Sequence, residues 1–281
     1  MNATATHWLP AGFALGAVFI WGTSDFIGGY AARRSNAFLF TSIVHLTGLL
    51  LMFGVAIALH PPFPSHKAIA WAMAAGLSGG AGLAIFYRAL ALGNMGLTAP
   101  VSAVVSAVIP TIFATFTEGI PRTLQIAGFV LAVIGIWLIA RPEDGSRPEG
   151  IGTAVVAGIA FAGFYLFSKQ AGDESAIWIA AMSRVASFAV TGSIVLFGGH
   201  RQITREGIGW AIVAGILDIS GSVMYIRSEQ IGRLDAAVVI SSLYPAITVL
   251  LARIILKEHF TRWKMVGMLA ALAAVPLIAA R

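Results

Sequence analysis

From residue 10 onward the chain alternates long apolar stretches with short polar breaks. Cutting at charge, proline and loop signals gives ten segments: 10–32, 36–59, 68–92, 96–116, 122–140, 150–170, 175–198, 207–231, 234–256 and 262–280. Each approaches the roughly 20 apolar residues that a helix needs to cross a hydrocarbon core about 30 Å thick. Some of the breaks are only a few residues long, such as "GNMG" (93–96) and "EGIPR" (118–122). One is different in kind. "RPEDGSRPEG", residues 141–150, is rich in Pro, Gly and charge and falls at the midpoint. It reads as a linker between a first half, 1–140, and a second half, 151–281, with five spans in each.

A midpoint linker prompts a search for an internal repeat. Shifting the chain by 139 residues pairs Trp71 with Trp210, Gly76 with Gly215, Gly82 with Gly221, Arg88 with Arg227, Gly93 with Gly232, Ser102 with Ser241 and Gly128 with Gly267. His45 falls on Arg184, both inside spans. Rare intramembrane polar residues and tryptophans agreeing in one ungapped frame carry more weight than apolar similarity. Spans one and six show no comparable match. Five spans is an odd number, so halves that share a fold must be inserted in opposite orientations, with a site where they meet near the midplane.

Composition agrees with the pattern. The chain of 281 residues is 58% hydrophobic and 11% charged, with mean hydropathy +0.86. A soluble domain carries about a quarter charged residues, so this chain is read as an all-α, multi-pass integral membrane protein with the lipid bilayer as its surroundings. The absence of cysteine excludes disulfides, thiolate metal sites and cysteine nucleophiles. "MNATATHWLP" has no basic n-region, so the first apolar segment is expected to be kept as a span. The sequence pI near 10.1 does not point to nucleic acid, because the basic residues lie singly or in pairs between apolar segments. The histidines are scattered with no metal-ligand spacing, and neither a metal nor a cofactor is expected.

Charges inside spans are costly, about 2.5–3.5 kcal/mol each on insertion scales, and so tend to face protein or water. Asp218, Ser222, Tyr225 and Glu229 recur at intervals of four, three and four and share one face of span eight. That polar stripe is expected to line a cavity. Asp25 sits in span one, within "FIWGTSDFIGGY" (19–30), one turn after Trp21. Trp21 lies well inside its span, whereas the other tryptophans fall near span ends, as in an interfacial belt. Arg184 and His45 complete the candidate set: Trp21, Asp25, His45, Arg184, Asp218, Ser222, Tyr225 and Glu229. Arg184 has two readings, binding a substrate carboxylate or phosphate or neutralising Asp218 or Asp25.

"FYRALALGNMGLTAPVSAVVSAVIP" (86–110) and "SEQIGRLDAAVVISSLYPAITVLLARIILKEHFTRWKMVGMLAALAAVPLIA" (228–279) resemble the two repeats of EamA-type transporters of the drug/metabolite transporter superfamily. The matching features are the small-residue spans four and nine, Pro245, and an acid before the last span of each half. That acid is Glu118 or Glu258, followed by Gly128 or Gly267; Trp21–Gly22 adds to the likeness. The sequence departs from an even repeat at Ser106, which stands in the register of Pro245, with Pro110 a turn later. The resemblance implies ten helices as two inverted five-helix repeats (5+5) around a central cavity, and transport of a small-molecule substrate, often export of amino acids or metabolites.

The expected activity is therefore secondary transport of small polar or amphipathic metabolites by alternating access, with amino-acid-like compounds foremost, at a bacterial inner membrane. Proton coupling through Asp218 or Asp25 is a separate expectation. An intramembrane enzyme or a channel-like protein is the alternative, but no span carries a carboxylate pair or a Ser/His set at catalytic spacing. The basic residues favour termini outside the cytoplasm, whereas the resemblance implies both inside.

Overall fold

The computed structural model describes residues 3–92, 95–139, 150–199, 202–257 and 261–279. Almost all of the linker 141–150 lies outside that set. Among the described residues the chain is helical throughout, with α1 (Ala3–Ala32), α2 (Ala37–Leu59), α3 (His66–Leu92), α4 (Met95–Thr117), α5 (Thr123–Ile139), α6 (Ile151–Gln170), α7 (Ala176–Gly198), α8 (Arg205–Ile231), α9 (Leu234–Ser241), α10 (Tyr244–Ile255) and α11 (Arg262–Ala279). Seven of these helices, and the α9–α10 pair taken together, are long and apolar enough to cross a membrane. The α5 segment Thr123–Leu138 is shorter and equally apolar in character.

Local chemistry sets several of the boundaries. The Asn36 side chain accepts from the backbone N–H groups of Phe38 (3.0 Å) and Leu39 (3.2 Å) and starts α2. Thr204 does the same for α8 through Gly207 (3.0 Å). Such caps satisfy the donors that a helix start leaves open. At the start of α3 the cap is shared across the chain. Ser65 takes a bond from the Ala68 N–H (3.2 Å), and its own N–H and hydroxyl both donate to the Glu174 carboxylate at 2.6 Å. Those two bonds hold the exposed Glu174 carboxyl below the usual glutamate range.

The segment 234–256, expected as one continuous helix, is broken. Hydrogen bonding tightens from Ser242 N–H to Val238 (2.9 Å) to Leu243 N–H to Ile240 (3.0 Å), and α10 restarts at Tyr244 with Pro245 in its first turn. Pro245 has no N–H to give to Ser241 and its ring crowds that carbonyl. Pro100 and Pro110 lie inside α4 without ending it, so only the second half carries the break.

Contacts at the helix ends give the direction of each helix. Pro10 near the start of α1 accepts from Ser228 near the end of α8 (2.8 Å), and Lys169 at the end of α6 pairs with Glu118 after α4 (3.3 Å). Gln125 at the start of α5 reaches Ile278 at the end of α11 (3.2 Å), and the Ser65–Glu174 bonds join the start of α3 to the α6–α7 loop. These groups lie at one end of the bundle, called here the first end. At the opposite end Asn36 N–H meets the Gln202 carbonyl at 2.9 Å. Hence α1 runs away from the first end while α6 runs towards it.

Packing between the halves follows an exchange rule. Helix α1 packs on α8 as α6 packs on α3, and α2 packs on α8 as α7 packs on α3. Helices α2 and α7 pair with each other, as do α5 and α11. The main neighbours thus come from the opposite half, and one buried cluster draws on both. Glycines permit the closest of these contacts. A side chain on Gly76 would strike the Ser183 carbonyl, and one on Gly215 would lie 2.6 Å from the Val44 carbonyl. Ser183 and Val44 are themselves 139 residues apart, so the frame found in the sequence relates contacts as well as residues.

Candidate functional site

A cavity in the middle of the bundle encloses about 470 Å³ of empty space, mouth included. Its walls come from α1 (Trp21, Asp25), α3 (Gly79, Leu83), α6 (Phe161, Phe164, Tyr165), α7 (Arg184), α8 (Asp218, Ser222) and α10 (Tyr244).

The walls obey the 139-residue frame in position but not in chemistry. Asp218 stands opposite Gly79, Ser222 opposite Leu83, and Asp25 opposite Phe164, and all six line the cavity. Trp21 lies against Gly221, while its counterpart Ala160 lies against Gly82. This explains why spans one and six show no match in the sequence: they are equivalent in space, and their inward residues have diverged.

Arg184 is the electrostatic centre of one wall. Its Nη2 lies 2.7 Å from the Asp218 carboxylate and donates to the Ser222 hydroxyl at 2.8 Å. Nη1 lies 3.4 Å from Nδ1 of His45, its counterpart in the frame. Of the two sequence readings for Arg184, the structure shows the internal ion pair with Asp218. Ser222 in turn donates to the Asp218 backbone carbonyl (2.9 Å), and so does the Trp21 indole N–H (3.1 Å). Asp218, Ser222, Arg184 and Trp21 therefore form one connected network.

Asp25 stands apart from it. It is 6% exposed, and no hydrogen bond or ion pair to another protein group is found for it among the described residues.

Five of the eight candidates line the cavity: Trp21, Asp25, Arg184, Asp218 and Ser222. His45 is buried behind Arg184. Tyr225 packs beneath Trp21, with ring centroids 5.6 Å apart, and also meets Tyr165 at 4.8 Å and Phe164 at 5.9 Å. These four rings close the cavity towards the first end. Glu229 lies beyond them, 1% exposed, facing Ser168, Tyr225 and Lys169. Of the stripe from Asp218 to Glu229, which rises about 16 Å along the helix, Asp218 and Ser222 line this cavity, and Tyr225 and Glu229 follow towards the first end. Tyr244, Phe161, Phe164 and Tyr165 were not among the sequence candidates. The 139-residue frame was the available signal for Phe164, as the counterpart of Asp25; the break before Pro245 exposes Tyr244.

Below the rings, ion pairs close the first end. Lys169 bonds the Glu229 backbone carbonyl (2.9 Å) and pairs with Glu118. Glu118 accepts from the Leu234 N–H (2.9 Å), while Arg233 grips Asp235 (2.8 and 3.0 Å) and the carbonyls of Glu118 and Gly119 (3.0 and 2.9 Å). The bonds to Asp235 hold the Arg233 guanidinium above its ordinary pKa. Among the described residues no group of His, Asp or Glu is arranged to hold a metal.

Residues 8–141 and 148–280 each match the sequence profile of the EamA-like transporter family. Uncharacterized protein MJ1333.1 from Methanocaldococcus jannaschii is 27% identical over 131 residues, which is 45% of this chain and 96% of that protein. A solved structure, described only as the crystal structure of a protein, superposes with a TM-score of 0.75 at 15% identity, covering 95% of each chain. At that identity the likeness is one of fold.

Proposed function

The chain belongs to the EamA-like transporter family, and from that premise we propose that it is a secondary transporter of small polar or amphipathic metabolites, with amino-acid-like compounds in the export direction foremost. In this reading ten spans form two inverted five-helix repeats, 1–140 and 151–281, joined by the linker 141–150, in a bacterial inner membrane. The observation that carries the proposal is a largely aromatic cavity, bearing Asp25, Arg184, Asp218 and Ser222, where equivalent positions of the two halves meet. The opposite directions of α1 and α6 support the inversion, and a relative matched almost entirely by less than half of this chain supports the division into two repeats.

Alternating access requires the cavity to open to each side in turn. In this conformation the first end is shut by the aromatic rings and the Glu118–Lys169 pair, so that side must open during the cycle. Proton coupling belongs to the same proposal, with Asp25 or Asp218 as carrier.

Counterflow of labelled amino acids and related metabolites in proteoliposomes tests this reading. Saturable flux is expected, and Leu83→Trp, which fills the cavity, should abolish it without preventing insertion. Absence of flux across a broad panel, or flux unaffected by filling the cavity, would overturn the proposal. Flux indifferent to an imposed pH gradient would remove the proton from it.

A further inference from the structure

Charge bookkeeping in the cavity singles out one group. Asp218 is neutralised by Arg184 at 2.7 Å, and the guanidinium has its other contacts at Ser222 and His45. The Arg184 Nε is buried on the side of Gly48 in α2 and has no hydrogen-bond partner. A substrate carboxylate would have to compete with Asp218 for a partner already held. Asp25 has no such match. It faces the same cavity, nearly buried, and makes no ion pair or hydrogen bond to the chain among the described residues. Buried in a largely apolar wall, this carboxyl needs a cationic partner once it is ionised.

The rest of the wall agrees. Five aromatic rings, those of Trp21, Phe161, Phe164, Tyr165 and Tyr244, line the same space. Ring faces attract a desolvated cation and also accept a flat apolar body. Tyr244 adds a hydroxyl, which faces Ser102.

We infer that Asp25 is the docking point for the ammonium group of the cargo, and that the cavity selects monocationic amines with a flat apolar body over carboxylates. The inference rests on the transport reading and narrows it: what the site recognises in an amino-acid-like molecule is the amine, and a free carboxylate adds nothing. The one unpaired carboxyl sets the selectivity, and the aromatic wall sets the shape.

The test measures binding separately from flux. Purified protein in lipid nanodiscs is titrated calorimetrically with phenethylamine, phenylalanine and 3-phenylpropionate, which share a ring and differ in charge. Phenethylamine should bind best, phenylalanine more weakly and phenylpropionate not measurably. Asp25→Asn should weaken phenethylamine binding at least about tenfold, as expected for loss of a charged hydrogen-bond partner, and Asp25→Glu should restore part of it. Equal or tighter binding of the anion, binding unaffected by Asp25→Asn, or no binding of any probe would overturn the inference. The order among the three probes is read on the unaltered protein, so it stands even if Asp25→Asn fails to fold. Flux of another cargo that ignores Asp25 would overturn the inference and leave the transport reading intact. Amine binding without any flux would do the reverse.

Discussion

Arg184 and Asp218 offer the clearest measurement of what holds the cavity wall together. Their side chains are 6% and 10% exposed and meet at 2.7 Å. Removing either partner leaves the other charge buried and unmatched, which costs about 3–5 kcal/mol. Arg184→Met also strips Ser222 of its donor, and Asp218→Leu leaves the guanidinium facing only Ser222 and His45. The double variant removes both charges and replaces them with apolar groups of similar length. Replacing a whole buried pair in this way is often neutral or stabilising, so the two changes should be strongly non-additive, with a coupling of at least about 2 kcal/mol. Unfolding free energies of the bilayer-embedded protein, measured by steric trapping, give all four corners of the cycle. If each single variant lost less than about 1 kcal/mol, or the double variant lost the sum of the two, Arg184 would not be a structural counter-ion. The argument that leaves Asp25 as the odd charge would then fail with it.

The other predictions follow from contacts already described. Gly76→Val should prevent α3 from closing on the Ser183 carbonyl and abolish the folded species on native gels, whereas Gly12→Ala, with open space around it, should leave that species unchanged. Because the carboxyl of Glu174 is held below its ordinary range, its bonds to Ser65 stabilise the fold at neutral pH and lose that effect as pH falls through the depressed value. The difference in thermal midpoint between wild type and Glu174→Gln should therefore shrink in acid; a constant difference would contradict the assignment. Glu118→Gln should loosen the first end. The chain has no cysteine, so a single Ser222→Cys reporter can read this as faster thiol labelling from that side, and an unchanged rate would show that the ion pair does not hold it shut.

Much of the scaffold was legible in the sequence because bilayer thickness and the cost of buried charge leave few choices. The positions of the apolar segments and the 139-residue frame come directly from those constraints. Asp218, Ser222 and Arg184 were recognisable as inward-facing because polar groups have few places to go in lipid. The aromatic part of the wall was not, since Phe161, Phe164, Tyr165 and Tyr244 sit in apolar runs where lipid-facing and cavity-facing rings read alike. The break before Tyr244 was equally hidden. Three prolines lie in the corresponding spans, and only Pro245 interrupts its helix. Periodicity placed Glu229 on the right face of α8 but could not say where along that face the cavity stops. The equivalence of spans one and six was invisible for a reason that bears on function: the residues that differ, Trp21 and Asp25 against Ala160 and Phe164, are the ones at the cavity or beside it.

The exchange of neighbours between halves also bears on how the protein is made. Helix α1 finds its main partner in α8, and at about 5–20 residues per second the intervening chain takes roughly 10–35 s to synthesise. Throughout that interval the Trp21 indole lacks the Asp218 carbonyl and Ser24 lacks the Ala214 carbonyl that later accepts from it at 3.0 Å. His45 likewise waits for Arg184. The early helices must therefore be stable in lipid as single spans, held there by their own backbone hydrogen bonds and apolar length, before any of them is packed. Assembly of the bundle then becomes a late and concerted event, and the nascent first half is the stage at which a membrane protease or insertion chaperone meets this protein at its most exposed.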